Sequence, residues 1–283
     1  MRDLSDAARA RVYLADFRFS RAPGQNFLLD DAWNEHIASV SGAENGVNIL
    51  EIGPGAGTLT CALARTGARI AAVEIDHALE GILTKMLEPF DNVRIVYGDI
   101  CKMDIRALAD AEFGADEPYL LVANMPYAIV ADILPKLVCG ARPPARITVM
   151  VQREAAERIC AQSGEKNWCA LAARMQYFCH VQILDILPPH AFMPNAHVES
   201  ALLCCKAYEK SERPAQPADE AKFLKCLDAA FAMRRKTYAN NLSAAFSIPR
   251  AQAVEALRGA SIAENVRGET LTLAQIATVS DRL

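Results

Sequence analysis

The chain has little with which to hold a metal or a disulfide frame. Its nine cysteines include no CxxC pair, and it has only five histidines. An odd set of scattered thiols reads as reduced cysteines in apolar positions, not as a zinc site or a disulfide scaffold. No apolar run approaches the roughly 20 residues that a membrane span needs, and the first residues lack the apolar core of a secretory signal. A cytoplasmic, globular, monomeric protein with no membrane partner and no metal is the expectation. Internal repeats and low-complexity tracts are absent, as is the GxGxxG of dinucleotide enzymes. Positive charge is also short, with a net charge of −4. The shortage is uneven, however. Residues 1–205 carry 18 Lys/Arg against 25 Asp/Glu, while residues 206–283 carry 12 against 9. The first 21 residues add Arg2, Arg9, Arg11, Arg18 and Arg21. Phosphate responds to the local field, so an acidic protein of this kind can still present a basic surface.

What the chain does have is apolar content for a large core, 52% of 283 residues, arranged as strands that each end in a polar or glycine position. Val47–Ile52 is a short apolar strand running into Gly53-Pro54-Gly55-Ala56-Gly57-Thr58, after which a helix begins. A strand, a glycine turn and a helix make a nucleotide-type unit, because missing side chains let a ligand reach backbone at a helix amino end. Ile70–Glu74 is the next strand, and its terminal carboxylate falls about 20 residues beyond the glycines, where such folds hold ribose hydroxyls. Val93–Asp99 again ends in an acid. Leu120–Ala123 ends in Asn124-Met125-Pro126-Tyr127, and Arg146–Val151 is a fifth strand followed by a helix from Gln152. These strand ends define one edge of an open parallel sheet, and ligands bind at that edge.

The Asn124–Tyr127 turn has a specific chemical use. The exocyclic amine of a nucleobase is a poor nucleophile because its lone pair is delocalised into the ring. Acceptors that pull the amine toward tetrahedral geometry correct this. Asn124 offers a side-chain oxygen, and Met125 offers a carbonyl whose direction is restricted by the following Pro126. Tyr127 offers a stacking face worth roughly 1–3 kcal/mol per base. Upstream, Gly24-Gln25-Asn26-Phe27-Leu28 reads as a turn whose two amides help hold a polar small molecule. Two β-rich segments, about 177–187 and 199–207, complete the sheet. Between them Pro188–Pro194 reads as a rigid loop presenting the Phe192 ring. The polar, proline-bearing stretch from Lys210 to Asp219 marks a linker between domains 1–209 and 210–283. Beyond it Phe223, Leu224, Leu227, Ala230 and Phe231 recur at helical spacing, Arg234-Arg235-Lys236 is expected to open a second helix, and two more follow near Arg250 and Leu271.

Together these segments resemble the KsgA/RsmA family, the small-subunit ribosomal RNA adenine N6,N6-dimethyltransferases. The resemblance runs from Gly24 to Leu242 and rests on motifs in the family's order: GQNFL at 24–28, EIGPGAGTLT at 51–60, VEID at 73–76, GDI at 98–100, NMPY at 124–127, VQREAAERI at 151–159, FMPNAHVES at 192–200 and FAMRRKTYANNL at 231–242. It implies a Rossmann-like α/β methyltransferase sheet with a smaller C-terminal all-α domain that meets RNA. It implies S-adenosyl-L-methionine as cofactor, held by Gln25, Asn26, Leu28, Glu51, Gly53, Gly55, Glu74, Ile75, Asp99, Ile100 and Asn124. Glu74 would take the ribose and Asp99 the cofactor's adenine amine. Asn124, Met125, Pro126, Tyr127 and Phe192 would form the catalytic set, with Tyr127 and Phe192 sandwiching an extruded adenine. Arg234, Arg235 and Lys236 would contact RNA, and the partner would be small-subunit ribosomal RNA or a 30S precursor particle.

The chain departs from the family's pattern at Met125, where leucine is usual, and at Ala196 and His197, where proline and lysine are usual. Three other readings compete. A large-subunit adenine methyltransferase shares the NxPY turn, but RRKTYANNL and the helical tail favour the first reading. A non-catalytic RNA-binding factor is disfavoured by the intact Gly53, Glu74, Asp99, Asn124 and Tyr127. A small-molecule methyltransferase is disfavoured by the aromatic loop and the tail.

Overall fold

The structure, a computed structural model, describes residues 4–17, 26–124 and 127–283, with only the backbone of residues 127 and 128. Gln25, Met125, Pro126 and the Tyr127 ring therefore lie outside the described residues. The chain divides into two compact units, 1–156 with 182–207 and 157–181 with 208–283. The sequence places one cut, at 209/210; the contacts divide the chain at 156/157, 181/182 and 207/208.

The first unit begins with helix α1 (Asp6–Tyr13), strand β1 (Phe27–Leu28) and helix α2 (Asp31–Ser41). Strands then alternate with helices: β2 (Asn48–Ile52), α3 (Thr58–Arg65), β3 (Arg69–Glu74), α4 (Glu80–Leu87), β4 (Val93–Tyr97), α5 (Ile105–Phe113), β5 (Tyr119–Ala123), α6 (Tyr127–Cys139), β6 (Arg146–Gln152) and α7 (Arg153–Cys160). After α8 (Ala170–Phe178) come β7 (Cys179–Leu187), β8 (Phe192–Met193) and β9 (Ser200–Ala207). The seven-stranded sheet runs β4-β3-β2-β5-β6-β9-β7. From β4 to β6 the pairs are parallel, and β9 joins β6 antiparallel with Val149 opposite Leu203. Ile49, Leu50, Ala71, Ala72, Leu121, Val122 and Val149 are buried, the near-continuous apolar pattern of parallel strands covered on both faces.

The strand order carries the functional consequence. From β2 the chain steps outward through β3 to β4, then returns to place β5 on the other side of β2. Such a reversal leaves a crevice at the carboxyl ends of β2 and β5, the position where open α/β sheets take ligands.

Helix α1 shows how the arm is used. Ser5 caps it by accepting from the Ala8 N–H, and Ala7, Ala10 and Leu14 join a buried cluster with Cys61, Leu79, Leu83 and Met86. Asp6 is buried and paired with Arg65 and Arg9, and a second Arg9 nitrogen donates to the Lys85 and Met86 carbonyls at the end of α4. Arg11 Nη2 donates to the Leu29 carbonyl at 3.1 Å, so Arg9 and Arg11, two of the arm's arginines, are spent on protein contacts.

Two local expectations are corrected. The 188–194 segment does not present an aromatic ring. Leu28 pairs with Phe192 and Phe27 with Met193 in the two-stranded β1–β8 sheet, and this pairing turns Phe192 into a buried cluster with Leu28, Ala191, Ala196 and Leu202, leaving it 3% exposed. Ala196, at a departure from the family pattern, packs in that same cluster. Arg234–Lys236 also do not open a helix. In the second unit α9 (Glu220–Ala232) stops before them and α10 (Tyr238–Phe246) starts after them. The three cations occupy an exposed turn held by Met233, whose carbonyl accepts from the Lys236 N–H at 3.0 Å and from Asn241 Nδ2 at 3.4 Å.

Helices α11 (Arg250–Gly259) and α12 (Leu273–Arg282) complete the second unit. Its core is partly aromatic. The Tyr177 ring lies 4.6 Å from that of Phe223, and the Arg213 guanidinium sits over Tyr177 and Phe178 while bonding Glu220. These contacts draw α8 into the unit of the C-terminal helices.

Candidate active site

The site starts from the turn after β2. Gly53, Gly55 and Gly57 all have left-handed φ values, 73°, 57° and 83°, a region that side chains with a Cβ avoid. At Gly55 space is also limiting, because a Cβ there would lie 2.7 Å from Phe27 Cδ1. The turn delivers the chain into α3 with no side-chain cap. The first N–H groups of that helix are the kind of donors that a polar or anionic ligand group satisfies.

Glu74, at the end of the neighbouring strand β3, is locked onto this turn. Its Oε2 accepts from the Gly55 N–H at 3.1 Å, and its Oε1 accepts from the Ile75 and Asp76 N–H groups, each at 2.9 Å. Burial raises its pKa, and the three N–H groups oppose that rise. The carboxylate is therefore fixed in direction beside the glycines before any ligand arrives. Ile75 follows at 64% exposure, an apolar side chain that the core does not use and that offers a flat apolar contact.

Glu51 on β2 is the least satisfied group. It is 1% exposed, and neither carboxyl oxygen has a hydrogen-bond partner. Burial pushes its pKa up to about 8; the adjacent Thr60 hydroxyl, without a well-formed bond to it, offsets part of the rise, and the Glu74 charge adds to it. A buried acid without partners costs free energy, and one beside a ligand site is ready for a cationic or N–H-bearing group.

A pH dependence follows from Glu51. Between its ordinary value of 4.5 and about 8 the folded protein keeps a proton that the unfolded chain has released. Its contribution to stability is therefore complete below about 4.5 and is lost as pH rises toward 8, at a limiting slope of about 1.4 kcal/mol per pH unit. Glu51→Gln should remove this slope. Thermal unfolding of both proteins from pH 5 to 8 checks it, and parallel curves would show that Glu51 is ionised throughout.

Asp99, just beyond β4, is half-buried. Its pKa is lowered by Lys102, whose Nζ lies 3.1 Å from Oδ2, and by the Cys101 N–H, which donates to Oδ1 at 3.0 Å. Asp99 is thus an ionised acceptor. Ile100 is buried, so only its backbone can meet a ligand. Asn124, at the end of β5, donates from Nδ2 to the Asn26 carbonyl at 3.4 Å. That bond assigns the amide and leaves Oδ1 as the available acceptor. Leu28 is core, and its carbonyl is already taken by Thr58 Oγ1 at 2.7 Å and Asn34 Nδ2 at 3.4 Å. It ties β1 to the start of α3.

Gly53, Gly55, Glu74, Asp99 and Asn124 are thus gathered at the carboxyl ends of four adjacent strands. The Arg234–Lys236 turn belongs to the other unit, and Phe192 is in the core. Two features escape a reading by motif: Phe27, whose ring covers Gly55, and the stacked pair of His77 and Tyr97, with centroids 4.6 Å apart, just beyond β3 and at the end of β4. Phe27 lies in the GQNFL motif, but nothing in its spacing tells which atoms it covers.

The "Ribosomal RNA adenine dimethylase" family matches residues 16–283 of the chain. The chain belongs to the ribosomal RNA adenine dimethylase family. The "Ribosomal RNA small subunit methyltransferase A" of Geobacillus thermodenitrificans is 35% identical over 100% of this chain and 97% of its own length. The protein of the same name from Streptococcus gordonii is 39% identical over 97% and 95%. Among solved structures, a dimethyladenosine transferase from Plasmodium falciparum superposes with a TM-score of 0.71 at 20% identity, covering 88% of this chain and 94% of that one. The 23S rRNA methyltransferase ErmE gives 0.67 at 22%, covering 91% and 99%. At those identities the structural likeness shows the fold, a Rossmann-like methyltransferase sheet with a helical C-terminal region.

As a member of this dimethylase family, the protein is an adenosylmethionine-dependent ribosomal RNA adenine dimethyltransferase. Its residues fit that cofactor. The glycine turn leaves room at the backbone, Glu74 and Asp99 offer acceptors at separate strand ends, Ile75 is exposed, and the unpartnered Glu51 carboxyl can meet an amino group. Among the described residues no helix is long and apolar enough to cross a membrane.

Proposed function

We propose that the enzyme dimethylates N6 of two adjacent adenines near the 3′ end of small-subunit (16S) ribosomal RNA during ribosome assembly, acting in the cytoplasm as a monomer on RNA or a 30S precursor particle. The observation that carries the chemistry is the Asn124 amide. With Nδ2 engaged by the Asn26 carbonyl, Oδ1 is left to accept from the target amine. Bound adenosylmethionine supplies an electrophilic methyl group on a sulfonium. Glu74 takes the ribose hydroxyls and Asp99 the cofactor's adenine amine, which leaves the Asn124 edge for the substrate. Asn124 Oδ1 and the Met125 carbonyl draw the amine out of conjugation, and Tyr127 stacks on the extruded base. The methylated nitrogen is cationic, hence acidic, and its proton can leave to water without a dedicated base. Positioning and electrostatics supply the rate. Phe192, buried here, supports Asn26–Leu28 through the β1–β8 pairing instead of offering its ring. Arg234, Arg235 and Lys236, exposed together, suit phosphate contact.

Mass spectrometry of 16S RNA from cells lacking this protein tests the reading. Unmodified adenines near the 3′ end, restored by the wild-type gene, are the expected result. Full dimethylation in those cells, or transfer by the purified enzyme to 50S-derived RNA in preference to 30S particles, would overturn it.

A further inference from the structure

The second unit holds a cavity of about 360 Å³ that the methyl-transfer reading does not use. Its walls come from the loop after α7, from α8 and the start of β7, and from the first turn of α12, and they include Gln162, Trp168, Gln176, His180, Tyr208 and Thr272. No Asp, Glu, Lys or Arg lines it. A site without fixed charge selects a neutral occupant, and two aromatic side chains in its wall favour a planar one.

The hydrogen-bonding groups narrow the class. Trp168 is 2% exposed, and its indole Nε1–H has no partner in the protein, so a buried donor is left for an incoming acceptor. Gln176 spends Nε2 on the Ile159 and Ala161 carbonyls, both at 2.8 Å, and Gln162 spends its Nε2 on the Cys160 carbonyl at 3.1 Å. Each glutamine keeps Oε1 as an acceptor. Thr272 is engaged with Gln275 in the cap of α12, so that helix end is already satisfied. The set therefore offers one donor and two acceptors beside aromatic surface. Adenine, cytosine and guanine present the complement, an amino group next to a ring-nitrogen acceptor.

We infer that this cavity is a second nucleobase site, which takes an unpaired amino-bearing base of the RNA substrate and anchors that RNA on the helical unit. The inference rests on the ribosomal RNA reading and adds a subsite to it. Stacking and edge hydrogen bonds to an unstacked base are the usual means of reading single-stranded RNA.

The chain has two tryptophans, Trp33 and Trp168, so Trp33→Phe makes Trp168 the sole indole reporter. In that protein, with the cofactor site saturated by S-adenosylhomocysteine, adenosine and cytidine should change Trp168 fluorescence saturably, and uridine should bind several-fold more weakly. Calorimetry should show adenosine binding weakened roughly fivefold by Trp168→Phe, which keeps an aromatic ring in place of the indole and removes the donor. Gln162→Ala alters only an exposed residue and should reduce the preference for amino-bearing bases severalfold, with Gln176 Oε1 as the remaining acceptor. Absence of a saturable response to all three nucleosides, or adenosine affinity unchanged in Trp168→Phe, would overturn the site. Normal dimethylation of 30S-derived RNA by Trp33→Phe alongside a silent titration would do so while leaving the methyl-transfer reading standing.

Discussion

Replacing Asn124 with alanine is expected to lower turnover by a factor on the order of 10² to 10³, the usual cost of removing one preorganised polar group from a reacting centre. Cofactor binding should remain measurable, because the glycine turn, Glu74 and Asp99 hold their positions through bonds that do not involve Asn124. The Asn124→Asp variant refines the expectation. It keeps an oxygen acceptor and loses the N–H that meets the Asn26 carbonyl. Its turnover should fall between those of wild type and alanine if the acceptor is what matters, with the missing anchor accounting for the remainder. Single-turnover methylation with saturating cofactor, beside calorimetric titration of the cofactor, separates the two quantities. Wild-type turnover in Asn124→Ala would remove Asn124 from the chemistry. An equal loss of cofactor affinity would make it a ligand-binding residue instead.

The sheet edge was legible because each contributing segment carries its own local signal. β2, β3, β4 and β5 are short apolar runs that end at a glycine or a polar side chain. A parallel sheet buried on both faces puts those ends at one level, as the pairing of Ile52 with Val73 and Ala123 shows. The misread segments lack such a signal. β1 and β8 have two residues each, too few to show a period, so the pairing that buries Phe192 could not be read from alternation. The Arg234–Lys236 turn is helix-permissive in composition, and the Met233 carbonyl after α9 is taken by the Lys236 N–H and by Asn241, five residues past the turn, a contact that local composition does not reveal. Trp168 belongs to no motif. Its unpartnered indole becomes visible only when α8, β7 and α12 are assembled around it.

Glu51 and Glu74 show how differently one sheet edge treats two acids. Glu74 lies where the chain turns and collects three N–H donors, so its direction is set. Glu51 lies one strand over, inside the sheet, where every backbone donor is already spent on the ladder. Burial raises both pKa values; in one case three N–H groups oppose the rise and orient the carboxyl, and in the other the carboxyl is left without a partner. A ligand with hydroxyl groups at one end and an amino group at another suits this pair.

The largest structural effect is expected at Gly268, in the second unit. A Cβ there would lie 2.3 Å from the Ala230 oxygen and 2.4 Å from its Cα, both backbone atoms of α9. Neither side can yield cheaply. Ala230 is fully buried inside α9, and the Gly268 segment is pinned by the Tyr238 N–H, which donates to the Val266 carbonyl at 2.8 Å, and by the Leu271 N–H, which donates to Gly268 itself at 3.1 Å. Gly268→Ala must therefore separate α9 from this segment, opening the packing of Tyr238 and Phe223 as well. Overpacking of this kind costs about 3 kcal/mol or more. For a chain of this length that corresponds to a fall in Tm of roughly 6–12 °C. Cofactor affinity, measured well below that transition, should stay near wild type, since its residues all lie in the first unit. Methylation of RNA should fall if the helical unit anchors the substrate. An unchanged Tm would show that α9 and the 266–271 segment are not held as closely as their contacts state, and normal RNA methylation in a destabilised variant would remove the second unit from substrate binding.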